Sequence, residues 1–184
     1  MRHPAQEGDH LLVGGVKAAD LVARFGSPLY AYDAAAIQAR CRRLRGAVEK
    51  LPYDLHYACK ANTNIRLMSL IRAEGLKIDC VSRGEVLAAM KAGFLPVEIT
   101  FTGNNVTRED MAFLHDAGIT LILDSVDQVQ RLGELRPGSS CGLRLNICGA
   151  GHHEHVITGG DDSKFGIVRD DLPLCQKDVY DLLS

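Results

Sequence analysis

Gly75-Leu76-Lys77-Ile78-Asp79-Cys80-Val81-Ser82-Arg83-Gly84-Glu85 contains every signal of one β/α unit. The glycine suits the close of a helix, the residues up to Cys80 read as a short buried strand, and Ser82 with Glu85 three places on is the S-x-x-E signature of a helix start. Working outward, Gly93 stands ahead of Val97-Glu98-Ile99-Thr100, and Gly118 precedes Ile119-Thr120-Leu121-Ile122-Leu123. Ser125-Val126-Asp127-Gln128 then opens a helical pattern through Val129, Leu132 and Leu135. Strand candidates end near Ala58, Cys80, Phe101, Leu123 and Leu145, at intervals of 22, 21, 22 and 22 residues. Strand and helix alternating on that period predict a parallel sheet. The L-x-x-L-x-L signature of a leucine-rich repeat is missing, and no G-x-G-x-x-G follows the first strand. Even spacing over five units therefore favours a (β/α)8, TIM-like barrel over an open doubly wound sheet.

A barrel needs eight strands and typically about 250 residues. Five are counted in these 184 residues, so the sequence predicts an incomplete barrel over 34–184, a shortened version of a longer chain. Two open sheet edges and one partly uncovered apolar sheet face should follow, and with them self-association. Leu172-Pro173-Leu174-Cys175 and the residues after it read as an amphipathic tail, not a sixth strand. Ahead of the barrel, Asp33 caps a helix to about Val48 with Ile37, Cys41, Leu44 and Val48 on one face, and Leu29-Tyr30-Ala31-Tyr32 reads as a strand.

With 46% hydrophobic residues and a net charge of -2, the chain has an ordinary globular composition and no basic patch for nucleic acid. Its N-terminus lacks the apolar stretch of a signal peptide, and no run approaches the roughly 18 apolar residues of a membrane span. The expectation is a cytoplasmic protein without membrane or nucleic-acid partners. Cys41, Cys59, Cys80, Cys141, Cys148 and Cys175 include no C-x-x-C pair and read as reduced, buried thiols. His152, His153 and His155 cluster around Glu154, but no second ligand set accompanies them, so they read as a histidine-bearing loop and no metal site is expected.

Lys60, in Tyr57-Ala58-Cys59-Lys60-Ala61-Asn62, falls where the first strand ends and Asn62-Thr63-Asn64 offers caps for a helix from Ile65 to about Glu74. Placed in a partly desolvated pocket, its amine would lose its proton more easily and become a nucleophile for carbonyl chemistry. The bland alternative is a lysine reaching to solvent from a strand end.

The word Tyr-Ala-Cys-Lys-Ala-Asn is similar to the cofactor-lysine motif of the ornithine/diaminopimelate/arginine decarboxylase group, whose barrel is of the alanine-racemase type. The diaminopimelate decarboxylase branch is resembled most, from about residue 8 to 167, through Phe25-Gly26-Ser27-Pro28-Leu29-Tyr30, Asp79-Cys80-Val81-Ser82-Arg83-Gly84-Glu85, Phe101-Thr102-Gly103-Asn104-Asn105, Arg144-Leu145-Asn146, Gly149-Ala150-Gly151-His152-His153, Ile157-Thr158-Gly159-Gly160 and Ser163-Lys164-Phe165-Gly166-Ile167. The resemblance implies that Lys60 carries pyridoxal 5'-phosphate, which serves as electron sink while meso-2,6-diaminopimelate loses carbon dioxide to give L-lysine.

The same resemblance places Asp79 beside the lysine and Arg144 at the cofactor, against the alternatives of a helix-start charge and a structural salt bridge. It makes segment 152–164 a lid, residues 1–33 part of a second, β-rich domain, and the complete enzyme a homodimer. The family usually has Arg-x-Asn-Pro-Gly where this chain has Asn146-Ile147-Cys148-Gly149 after Leu145, a departure that bears on the aim of Arg144. The phosphate-binding glycine loop, the carboxylate facing the pyridine nitrogen and the partner-donated cysteine belong to family regions without a counterpart here. Decarboxylation by this chain alone is not expected. A pyridoxal phosphate-binding protein without turnover and a non-catalytic remnant are the other two readings.

Overall fold

The computed structural model describes residues 5–146, 165–168, 171 and 173. Five short strands, β4 (His56–Ala58), β5 (Lys77–Cys80), β6 (Ile99–Phe101), β7 (Thr120–Leu123) and β8 (Gly142–Leu143), form one parallel sheet in sequence order. Helices α3 (Ile65–Ala73), α4 (Arg83–Lys91), α5 (Arg108–Asp116) and α6 (Val126–Leu135) connect them. This is the strand-helix repeat read from the 22-residue period. Gly75, Gly93 and Gly118, at φ +79°, +103° and +77°, turn the chain from helix back towards strand in a conformation L side chains resist.

Both predicted helix starts form, with one twist. Ser82 Oγ accepts from the Glu85 N–H and Ser125 Oγ from the Gln128 N–H. The returning side chains reach one residue further back than in the ordinary box: Glu85 Oε2 accepts from Val81 N–H at 2.7 Å and Gln128 Oε1 from Asp124 N–H at 3.1 Å. Each thereby satisfies a backbone donor at the mouth of a strand.

Burial along the strands alternates. Ile78, Cys80, Ile99, Phe101, Leu121 and Leu123 are buried on the side where Met68, Val86, Ala89, Met111, Leu114, Val129 and Leu132 of the helices complete a single core. Fully burying side chains such as Met111 and Leu114 contributes about 1.5–3 kcal/mol each. The other face carries His56, Ala58, Asp79, Thr100, Thr102 and Thr120, and register pairs Ala58 with Asp79 and Thr100 with both Asp79 and Thr120. The expectation of a partly uncovered apolar face is met only in part: Leu143 and Leu145 are exposed at the β8 end, and the face without helices carries Ala58 and Ile122 but is otherwise polar, with Thr100 Oγ1 3.3 Å from His56 Nδ1. Such a face tolerates water, because its groups can be hydrogen-bonded there.

Helix α2 (Ala34–Val48) starts as read, with Asp33 Oδ1 accepting from Ala36 N–H, and packs Cys41 and Ile37 against Leu67, Ile71 and Leu76. Leu44 is exposed instead of sharing that face. Glu74, nearly buried, takes both Arg42 Nε and Nη2 at 2.8 Å, tying α2 to the end of α3. The predicted strand at Leu29-Tyr30-Ala31-Tyr32 does not form. These residues have no ladder partner among the described residues, Tyr30 is 87% exposed, and the segment is held through Tyr32 Oη, which accepts from Asn62 Nδ2 at 2.7 Å. Before it, β1 (Ala5–Glu7), β2 (His10–Val13) and β3 (Val16–Lys17) make an antiparallel meander leading into α1 (Ala18–Phe25). Beyond β8 the chain adds a parallel bridge, Leu145 with Ile167. No helix among the described residues is long and apolar enough to cross a membrane.

Candidate active site at the strand ends

In a parallel β/α array, side chains at the carboxyl ends of the strands share one surface. Lys60, Asp79, Thr102, Asn104, Asp124 and Arg144 all stand at or just past those ends.

Lys60 occupies the middle of a single 3-10 turn, Cys59–Ala61, directly after β4. Cys59 beneath it is fully buried in the core, so the turn is pinned from below. Asn62 pins it from the side. Its N–H donates to Cys59 O, its side chain donates to Tyr32 and accepts from Asn64 N–H, and its carbonyl accepts from Tyr57 Oη at 3.0 Å. Asn64 then caps α3 by accepting from Arg66 and Leu67 N–H. The sequence expectation of a partly desolvated amine is not met: Lys60 is exposed, because the described residues that bury the turn lie beneath it and none of them roofs its side chain. It forms no hydrogen bond or ion pair with a described residue.

Asp79 is the register partner of Ala58, one residue before the lysine turn, and is half-buried. Its Oδ1 accepts from Thr102 Oγ1 at 2.9 Å, and it forms no ion pair with Lys60. Its charge is thus held one strand away from the amine and shared with a hydroxyl. Arg144, past β8, lies with its guanidinium carbon 4.5 Å from the centre of the Phe165 ring. Its carbonyl accepts from Ile167 N–H at 2.8 Å, and Asn146 N–H donates to Ile167 O at 2.9 Å.

Between these stands a network that sequence reading missed. Asp124, 8% exposed, accepts from Asn104 Nδ2 at 2.6 Å, while Gln128, 3% exposed, donates to Asn104 O at 2.6 Å. Burial pushes the Asp124 carboxyl above its ordinary range, and the nearby charge of Arg144 pulls the other way. The available signal was positional: Asn104 and Asp124 each follow a strand and precede a capped helix. Gly103 is required beside them, because an added Cβ would sit 2.5 Å from Phe101 Cζ and 2.8 Å from Val81 O. The 152–164 segment, with His152, His153 and His155, lies outside the described residues, as do Cys148 and Cys175.

A family model for the pyridoxal-dependent decarboxylase, pyridoxal binding domain, matches residues 34–179. Diaminopimelate decarboxylase of Methanothermobacter thermautotrophicus is 44% identical over 94% of this chain and 41% of its own length. The enzyme of that name from Bacillus subtilis (strain 168) is 37% identical over 85% of this chain and 38% of its own length. A crystal structure of diaminopimelate decarboxylase superposes with a TM-score of 0.80 at 31% identity, over 98% of this chain and 42% of that one. The chain thus spans about two fifths of the relatives it matches. On the match across 34–179 and the parallel strand-helix array that carries it, the chain belongs to the pyridoxal-binding domain family of the pyridoxal-dependent decarboxylases.

Proposed function

We propose that this chain contributes the lysine-bearing side of a diaminopimelate decarboxylase-type carboxy-lyase, acting on meso-2,6-diaminopimelate to yield L-lysine in the cytoplasm as part of a homodimer. The observation that carries the reading is Lys60, an exposed primary amine on a turn anchored from two sides, at the same sheet end as Asp79 and Arg144. These residues fit pyridoxal 5'-phosphate: an accessible amine for its carbonyl carbon, and a guanidinium and a carboxylate at the strand ends for its polar groups. When bound, the cofactor supplies the electron sink for the carbanion left by departing carbon dioxide. The chain's own part is to orient. The Asn62 clamp fixes the Lys60 backbone, the Thr102 hydroxyl fixes Asp79, and Phe165 with Asp124 restrains Arg144.

A second reading, cofactor binding without turnover, is favoured by the exposure of Lys60 among the described residues and by the five described strands of the sheet. The test of both is incubation with pyridoxal 5'-phosphate, borohydride reduction and peptide mapping. A pyridoxyl label concentrated on Lys60 and absent from Lys60→Ala supports the site. Label spread evenly over the lysines overturns it. Carbon dioxide release then separates catalysis from binding.

A further inference from the structure

We propose that Cys59, Cys80 and Glu85 form a buried site for a thiophilic divalent cation of the zinc type. The inference does not depend on the pyridoxal reading. Both thiol sulfurs and one carboxylate oxygen lie within 4.8 Å of one another. Two sulfurs on one tetrahedral zinc ion, each at about 2.3 Å, stand about 3.8 Å apart, and a sulfur and an oxygen about 3.5 Å. The sulfurs therefore need to close by no more than about 1 Å, and sulfur and oxygen by no more than about 1.3 Å. Met68 Sδ, 3.6 Å from Cys59 Sγ, adds a soft, polarisable wall.

The donors come from separate elements: the turn after β4, the last residue of β5 and the first turn of α4. Register brings them together. Ala58 pairs with Asp79, so the next residues, Cys59 and Cys80, emerge side by side, and the Ser82 cap directs Glu85 back over them. No C-x-x-C spacing announces this arrangement, which explains why the sequence suggested no metal. The carboxylate is also held in place, because Glu85 Oε2 accepts from Val81 N–H at 2.7 Å.

Both thiols are fully buried, and burial, reinforced by the negative charges of Glu85 and Asp79, pushes them upward in pKa. A coordinated thiol nevertheless gives up its proton outright. Binding then exchanges two thiol protons for one divalent ion, so the net charge of the three-ligand site, the Glu85 carboxylate included, is the same before and after. Cys59 is bonded to Lys60 and Cys80 to Asp79, so an ion here would lock together the ends of β4 and β5 that hold both residues.

The experiment is anaerobic titration with Co2+ of a chain whose Cys41, Cys141, Cys148 and Cys175 have been changed to serine. The expected result is one equivalent bound with thiolate-to-cobalt charge-transfer bands and intense tetrahedral d–d bands, release of two protons, and displacement by Zn2+. Cys59→Ser or Cys80→Ser should abolish the charge-transfer bands, with circular dichroism confirming the fold. Should a cysteine variant fail to fold, Glu85→Gln decides. It keeps an oxygen for Val81 N–H, and loss of the carboxylate ligand should weaken binding by more than about tenfold. Absence of the bands, weak octahedral spectra alone, bands that persist in a folded cysteine variant, or unchanged affinity in Glu85→Gln each overturns the proposal.

Discussion

Arg144 is gripped from the far side of the described chain by Phe165, whose ring centre is 4.5 Å from its guanidinium carbon, while the backbone of Ile167 exchanges two hydrogen bonds with Arg144 and Asn146. The aim of this arginine is therefore set by a clip from Phe165-Gly166-Ile167. Gly166 makes the clip possible. It sits at φ +82°, and a Cβ there would lie 2.8 Å from Asn146 N and 2.9 Å from Leu145 C, both backbone atoms that cannot swing away. Gly166→Ala should destabilise the chain by about 1–3 kcal/mol, and Phe165→Leu by about 0.5–1 kcal/mol through the lost cation–π contact. Urea unfolding midpoints measure both; equal midpoints for Gly166→Ala and the parent would mean that the clip is not formed in solution.

The strand-helix alternation was legible because its signals are local. A left-handed glycine, a short apolar strand and a capping serine lie within about a dozen residues, as in Gly75 to Glu85. Lys60, Asp79 and Arg144 could be placed at one sheet end because parallel connections leave few alternatives. What could not be read depended on pairing between distant residues. The Asn104–Asp124–Gln128 network and the Cys59–Cys80–Glu85 cluster arise from strand register, which local patterns do not encode. The exposure of Lys60 and the polar uncovered face have the same origin, since they follow from which side the helices cover. Leu29 to Tyr32 misled because aromatic and apolar residues favour strands only where a ladder partner exists.

The turn holding Lys60 should depend on Asn62 more than on any intrinsic preference, since that one residue makes contacts to Tyr32, Tyr57, Cys59 and Asn64. Asn62→Ala removes two side-chain hydrogen bonds, and at about 0.5–1.5 kcal/mol each the expected loss is about 1–3 kcal/mol. Tyr32→Phe should cost about 1 kcal/mol. The sharper readout is chemical: in Asn62→Ala the pyridoxyl label should shift from Lys60 towards other lysines. A labelling pattern identical to the parent would show that the clamp does not govern the amine.

Acid stability should fall at low pH through losses traceable to named pairs. The side chain of Arg136, through Nε at 2.7 Å and Nη2 at 2.5 Å, holds the Asp116 carboxyl down at about 2, and Arg42 lowers Glu74. A carboxylate depressed in the folded state stabilises fully above its unfolded value, near 4, and loses that contribution as pH falls through its folded value. For Asp116 the window runs from about 4 to about 2. Asp116→Asn should therefore flatten the pH dependence of the unfolding midpoint in that window and leave the curve above pH 5 parallel to the parent's. An unchanged acid limb would assign the protons to other groups.

The 184-residue chain assayed by itself should release no measurable carbon dioxide from meso-diaminopimelate. Its described strands number five in the parallel sheet, and no described residue covers Lys60. A reactive amine in open water lacks the preorganised, water-excluding contacts that carry most electrostatic catalysis, each commonly contributing about 3 kcal/mol to the transition state. Several missing contacts of that size lower the rate by many orders of magnitude. Both edges of the sheet, at β4 and beyond β8, should at the same time recruit other chains, so sedimentation velocity is expected to show mass rising with protein concentration. The two measurements belong together, because an assembly that closed the side over Lys60 would restore exclusion of water. The decisive comparison is carbon dioxide release across that concentration range with Lys60→Ala as the blank. Lysine formation above the blank at concentrations where the chain is monomeric would show that five strands suffice, and would sink the argument that this face must be covered before Lys60 can work.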